Sequence, residues 1–426
     1  MATYLRSQPI PPRPAPILSR GAVAWVRANL FNGWLGTILT LGSIALVIWL
    51  LPGLVRFMLI DAVWSAPDGA ACRAPGAGAC WAFVAQKLGF FRYGAYPEAA
   101  RWRVDATLML GAVLIARLLW QAKTRSLLAA CALILGVPLF TILLTPGYAI
   151  ALQDPVRGAA MLCGGALLGA MLWFGQIRTG LVALGFFVIY PVIAFLLLHG
   201  SRTLGLSIID TSLWGGLFVT LLISIVGIVA SLPLGILLAL GRRSDLPIVK
   251  TASSVFIEVV RGVPLITVLF MANTMLPLFV PEHLAPDRLL RPLIGVALFA
   301  SAYMAETIRA GLQALPKGQY EGAMALGLSH WSMLRLVILP QALVMVIPGI
   351  VNSFISLFKD TTLVAVVGIF DFLRAVDSAR LDPAWAGPTI STSAYVFAAL
   401  FYWVFCFGMS RYSIFMEHKL SAGQRR

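Results

Sequence analysis

The sequence predicts an all-α polytopic membrane protein of about ten transmembrane helices. Three observations carry that expectation. Hydrophobic residues make up 60% of the 426, charged residues only 12%, and mean hydropathy is +0.89, a balance that soluble domains do not show. The apolar residues are gathered into runs, several reaching the roughly 20 residues that cross a bilayer core of about 30 Å. Lys and Arg outnumber Asp and Glu by 32 to 17. In so apolar a chain, that surplus reads as basic loops facing the cytoplasm and anionic lipid, not as a nucleic-acid surface.

Residues 1–33 form a basic, Pro-rich tail with Arg6, Arg13, Arg20 and Arg27. The run 34–57 is longer than the roughly 7–15 residues of a signal-peptide core, so it reads as a retained first membrane helix. A polar Gly/Ala/Pro-rich loop, 58–103, carries Cys72 and Cys80, which could pair as a disulfide if the loop is periplasmic. Further apolar runs near 104–120, 127–145, 158–175 and 181–199 make 34–205 an N-terminal region of about five helices. Gly158, Gly164, Gly165 and Gly169 there show small-xxx-small spacings suited to helix packing. Cys131, Cys163 and Cys406 lie in apolar runs as small hydrophobic fillers.

The remainder, 206–420, has runs near 213–241, 252–280, 291–310, 339–358 and 394–416. Thr362–Phe370 is too short to cross and reads as a segment dipping against the core, where irregular backbone is tolerated only beside protein or water. The distribution of Lys and Arg favours both termini, and the loop 312–338, on the cytoplasmic side.

Nearly all the distinctive polar residues fall in this second half. Arg261, Glu306, Arg309, Lys359 and Asp360 lie in or at the ends of spans, where an ionised group costs roughly 3 kcal/mol and normally pairs or lines a pathway. Glu306 and Arg309 are three apart on one helix and can pair. Asn352 and Ser353, beside Pro348-Gly349, and Thr361, after Asp360, complete a candidate substrate pathway. A cation in it would meet the carboxylate of a zwitterion and a carboxylate its ammonium. Clamping between helices explains the same residues, and both readings stand.

A second stretch, 316–330, is polar and broken by glycine. Pro316 suits a helix start, Gly327 a left-handed stop, and Ser329 a cap for the next helix. Tyr320, Met324 and Leu328 recur at i, i+4 and i+8 as an apolar face. No G-x-x-x-x-G-K-[ST] phosphate loop is present. His199, His283, His330 and His418 stand at span ends or in loops, no metal-ligand set is spaced in the sequence, and no catalytic constellation suggests an enzyme.

The motifs occur in a recognisable order: Thr220-Leu221, Arg243-Ser244, Arg261-Gly-Val-Pro264, Ser301-Ala-Tyr-Met-Ala-Glu-Thr-Ile-Arg-Ala-Gly311, Pro316-Lys-Gly-Gln319, Glu321-Gly322-Ala323 with Gly327, Leu339-Pro340-Gln-Ala-Leu343 and Phe354-Ile-Ser-Leu-Phe-Lys-Asp-Thr-Thr-Leu363. Residues 210–415 thereby resemble permease subunits of ABC importers for polar amino acids, with a type I importer core. Gly322 and Val337 depart from the family's Ala and Ile. The long N-terminal region resembles the branch that carries general L-amino acids or glutamate, glutamine, aspartate and asparagine.

The resemblance implies a coupling helix built from Lys317, Gly318, Gln319, Tyr320, Glu321, Gly322, Ala323, Met324, Gly327 and Leu328. It further implies an ABC ATPase dimer that binds ATP and Mg, no cofactor in this chain, a second permease that is a shorter paralogue, a periplasmic amino-acid-binding protein, and residence in the bacterial inner membrane. An ion-driven secondary transporter is the competing reading. It is disfavoured because such carriers show distinctive discontinuous helices in both halves.

Overall fold

The computed structural model describes residues 21–119, 189–202, 205–281 and 286–424. The expected spans 127–145 and 158–175, the glycines of 158–169, Cys131, Cys163 and His283 lie outside them. The described residues divide into two compact units, one from Met1–Phe83 with Gly387–Ile390 and one from Val84–Ala386 with Ser391–Arg426.

In the first unit, α1 (Gly21–Asn29) precedes α2 (Gly33–Val55), which continues through a π turn to Ile60. The α2 helix is apolar on every side and buries none of its residues, the character of a helix solvated by lipid. At its end the backbone is stitched to the cysteine loop: Gly78 N donates to Asp61 O at 2.7 Å, Ala79 N to Phe57 O at 2.7 Å, and Trp81 Nε1 to Met58 O at 2.8 Å. Cys72 and Cys80 are bonded to one another and buried.

Helix α3 (Trp81–Tyr93), in a stretch whose Gly/Ala/Pro content reads as loop, passes from the first unit into the second at Val84, and α4 (Arg101–Leu119) and α5 (Tyr190–His199) follow. The C-terminal helices then follow: α6 (Leu217–Arg242), α7 (Pro247–Gly262), α8 (Leu265–Phe279) and α9 (Leu290–Ala314). After them come α10 (Lys317–Ala325), α11 (His330–Met345), α12 (Ile347–Asp360), α13 (Phe372–Ala379) and α14 (Ile390–Gln424). Among the described residues five helices are long and apolar enough to span a membrane, or six if the bent pair α7–α8 counts as one.

Two expectations are corrected. The run 252–280 is not one straight helix: α7 and α8 meet at 105°. Val263 precedes Pro264, and the proline ring pushes it out of the helical region, to φ −109° and ψ 136°. The last expected break is shifted, to Gly368 at φ +80°. Thr361–Val367 continues α12 as a 3-10 helix, so the span runs Ile347–Val367, while residues 339–345 belong to the preceding shorter helix α11.

Helix α6 packs along α9 and buries a stripe of small residues, Thr220, Ser224, Gly227, Ser231, Gly235 and Ala239. In lipid, where apolar surface gives helices no drive to associate, such a stripe brings backbones close enough for dispersion. At Gly235 an added Cβ would stand 2.7 Å from Met304 Cγ. At the opposite end of α6, strand β1 (Gly215–Gly216) pairs in parallel with β2 (Phe370–Asp371). Gly216 has φ +70°, and a Cβ there would stand 2.5 Å from the Phe91 carbonyl oxygen. Only glycine fits.

Candidate functional site

The stretch 316–330 folds as two short helices meeting at Gly327. Pro316 occupies the cap position and Lys317 starts the helix. At the far end Gly327 has φ +72°, Leu328 N donates to Ala323 O at 3.3 Å and Gly327 N to Met324 O at 2.9 Å. This is a Schellman stop, which satisfies the last carbonyls of the helix. Ser329 accepts from Ser332 N and so caps α11.

Ala323 is buried, with Tyr320 and Leu328 packed beside it against Ile308, Leu312, Met333 and Ile338. The expected stripe of Tyr320, Met324 and Leu328 is therefore corrected at its centre: Met324 points outward, 58% exposed, and Ala323 supplies the inward contact. Lys317, Gly318, Gln319, Glu321, Gly322 and Gly327 are exposed on the same knob.

Two ties hold the knob to the bundle. Arg243 Nη1 donates to Tyr320 Oη and to Leu312 O, each at 3.1 Å, with its guanidinium 5.6 Å from the Tyr320 ring centroid. Gln341 Nε2 donates to Gln319 Oε1 at 3.0 Å.

A cavity of about 670 Å³ opens where α7 breaks from α8, within the range of small-molecule sites. Gly262, Val263 and Pro264 of the break line it, with Ser231 from α6, Phe299 and Tyr303 from α9, and Asn352, Ser353, Ser356 and Asp360 from α12. Arg261 completes the wall. Of the eight residues the sequence offers as a pathway, the cavity gathers Arg261, Asn352, Ser353 and Asp360. The other four are elsewhere: Lys359 is exposed, Thr361 is buried with its hydroxyl donating to Phe358 O at 2.8 Å, and Glu306 and Arg309 belong to an ion cluster beside the cavity.

In that cluster Glu306 Oε2 accepts from Arg309 Nη2 at 2.7 Å and Nε at 2.9 Å, and Oε1 from Arg242 Nη1 at 2.7 Å. Arg242 Nη2 also reaches Glu258 at 2.8 Å. Arg261 Nη1 stays 3.7 Å from Glu306. Sequence reasoning finds the Glu306–Arg309 pair, three apart on one helix. It misses the cluster role of Arg242, and it places Arg243 in a motif without its tie to Tyr320, because their partners lie 64 and 77 positions away.

Set beside known proteins, residues 231–420 match a family described as "Binding-protein-dependent transport system inner membrane component". The chain is 45% identical over 414 residues, 97% of each chain, to the inner membrane amino-acid ABC transporter permease protein YhdY of Escherichia coli (strain K12). It belongs to the amino-acid ABC transporter permeases. It is 42% identical over 447 residues, 99% of each chain, to the glutamate/glutamine/aspartate/asparagine transport system permease protein BztC of Rhodobacter capsulatus. A shorter relative, the L-cystine transport system permease protein TcyB of Bacillus subtilis, is 32% identical and aligns over 94% of its own length but 52% of this chain. A crystal structure of an amino acid ABC transporter with histidines, 30% identical, covers 48% of this chain and 92% of its own at a TM-score of 0.42. As a member of this family the chain is an inner-membrane transport subunit that works with an ATPase and a binding protein.

Proposed function

We propose that this chain is the long permease of an ATP-driven importer of acidic and amide L-amino acids. Both termini and the knob Lys317–Leu328 face the cytoplasm, and the 58–103 loop faces the periplasm. The observation that carries the reading is the knob itself. Its inner face is anchored through Tyr320, Ala323 and Leu328, while Glu321 and Met324 stand exposed at its surface. A rigid, capped protrusion is a handle for another protein, here the ATPase dimer that binds ATP and Mg.

The second permease is a shorter paralogue, and a periplasmic binding protein delivers the solute to the cavity. Arg261 suits the α-carboxylate with its planar fork, and Asp360 suits the α-ammonium. Asn352 and Ser353 provide polar contacts along the path. This chain supplies pathway and coupling, and the partner supplies nucleotide chemistry. The substrates in the name of BztC, which aligns with 99% of each chain, support the substrate class.

The test is uptake of labelled L-glutamate and L-glutamine into proteoliposomes holding the assembled transporter. Uptake should require ATP, the ATPase and the binding protein, and Glu321→Lys should abolish it with the complex intact. Uptake driven by a proton or sodium gradient, with no ATPase present, contradicts the proposal.

A further inference from the structure

The ion cluster beside the cavity holds Arg242, Arg261 and Arg309 against Glu258 and Glu306, three cations to two carboxylates. The surplus is not shared evenly. Arg242 and Arg309 each make hydrogen bonds of 2.7–2.9 Å to Glu306. Arg261 comes no nearer than 3.7 Å, beyond hydrogen-bond reach, and its side chain is the most open of the three at 40%, against 26% and 31%. Its guanidinium lies 5.3 Å from the Tyr303 ring centroid. Stacking on an aromatic face leaves the in-plane N–H donors available for a carboxylate. Of the three arginines, Arg261 alone also lines the cavity.

We infer that Arg261 is an exchange residue, shared between Glu306 and the carboxylate of a bound amino acid, so that filling the cavity draws it off the ion cluster. The inference rests on the transport reading above and adds a regulatory link to it. Glu306 is held by Arg242 at the end of α6, and the next residue, Arg243, grips Tyr320 of the knob. The competition is reciprocal: Glu306 weakens ligand binding by the same factor by which ligand weakens the Arg261–Glu306 attraction. Removing the Glu306 charge should therefore tighten the site, the opposite of what loss of a merely structural carboxylate would do.

The experiment measures equilibrium binding of labelled L-glutamine and of its α-amide, L-glutaminamide, to the nucleotide-free complex in lipid nanodiscs, with sites counted per copy of this chain. The wild type should prefer L-glutamine by about tenfold or more. Arg261→Ala should remove that preference and Arg261→Lys restore part of it. Glu306→Gln should tighten L-glutamine binding about 3- to 10-fold and leave the amide unchanged. Co-purification of the ATPase with each variant reports assembly. A preference that survives Arg261→Ala overturns the inference alone, as does equal weakening of both probes by Glu306→Gln in an assembled complex. Failure of the assembled wild type to bind either probe overturns the inference, whereas the transport reading falls only if the uptake assay above shows no ATP-driven uptake.

Discussion

Arg243 donates a 3.1 Å hydrogen bond to the hydroxyl of Tyr320 while its guanidinium lies 5.6 Å from the centre of the same ring. One residue earlier, Arg242 turns inward to Glu306. The last turn of α6 thus ends in two neighbouring cations, one committed to the ion cluster beside the cavity and one to the knob. Tyr320→Phe removes the hydroxyl, worth about 1 kcal/mol, and keeps the ring. Tyr320→Ala also removes a cation–π contact of about 0.5–1 kcal/mol. ATP-driven uptake should fall about threefold in the first variant and tenfold or more in the second, with nucleotide hydrolysis less affected than transport.

Gly327 and Gly322 should respond oppositely to alanine. Gly327 holds φ +72°, so Gly327→Ala costs about 1–2 kcal/mol and loosens the Schellman stop. Gly322 is helical with no atom within 4 Å of an added Cβ, so Gly322→Ala should stabilise α10 by about 0.5–1 kcal/mol. Retention of the ATPase on the purified permease should drop in the first variant and hold or rise in the second.

The Cys72–Cys80 bond closes a loop of sequence separation 8. In the chain-entropy account a loop of that size is worth about 2–3 kcal/mol. Replacing both cysteines by serine should lower the melting temperature of the detergent-solubilised protein. Treatment with a membrane-impermeant thiol reagent should label the pair only after reduction.

Asp371, between the last two candidate spans, caps α13 by accepting from Leu373 N and Arg374 N at 3.1 Å. Burial is the leading influence on its carboxyl and raises it from 3.8 to about 6. The folded state therefore holds this proton more tightly than the unfolded chain. The stability it contributes is present below about pH 4 and is lost as pH rises toward about 6. Asp371→Asn keeps a capping oxygen without the charge. The wild type should melt higher at pH 5 than at pH 7, and the variant should show a smaller difference.

The local features were the legible ones. Pro316, Gly327 and Ser329 mark the knob's limits because cap and stop chemistry is written in adjacent residues, and the Glu306–Arg309 pair follows from helical spacing. The bend at Val263-Pro264 is also open to reading, since proline restricts its predecessor, yet the apolar runs on either side of it read as one span. Arg242, Arg243 and Tyr303 could not be read as site residues. Their importance comes from how α6, α7 and α9 cross, and no periodicity along one helix encodes a crossing. The exposure of Met324 is not encoded in its spacing, because apolar spacing cannot distinguish a face against the bundle from one kept for a partner.

The central claim is that the ATPase grips the knob from the cytoplasm, and a photo-crosslink tests it directly. A benzophenone amino acid introduced at position 324, in the place of the exposed Met324, should on irradiation join this chain to the ATPase subunit in intact cells. Its yield should change when nucleotide is trapped in the purified complex. An assembled complex in which position 324 never captures the ATPase, or captures only periplasmic proteins, would contradict the account.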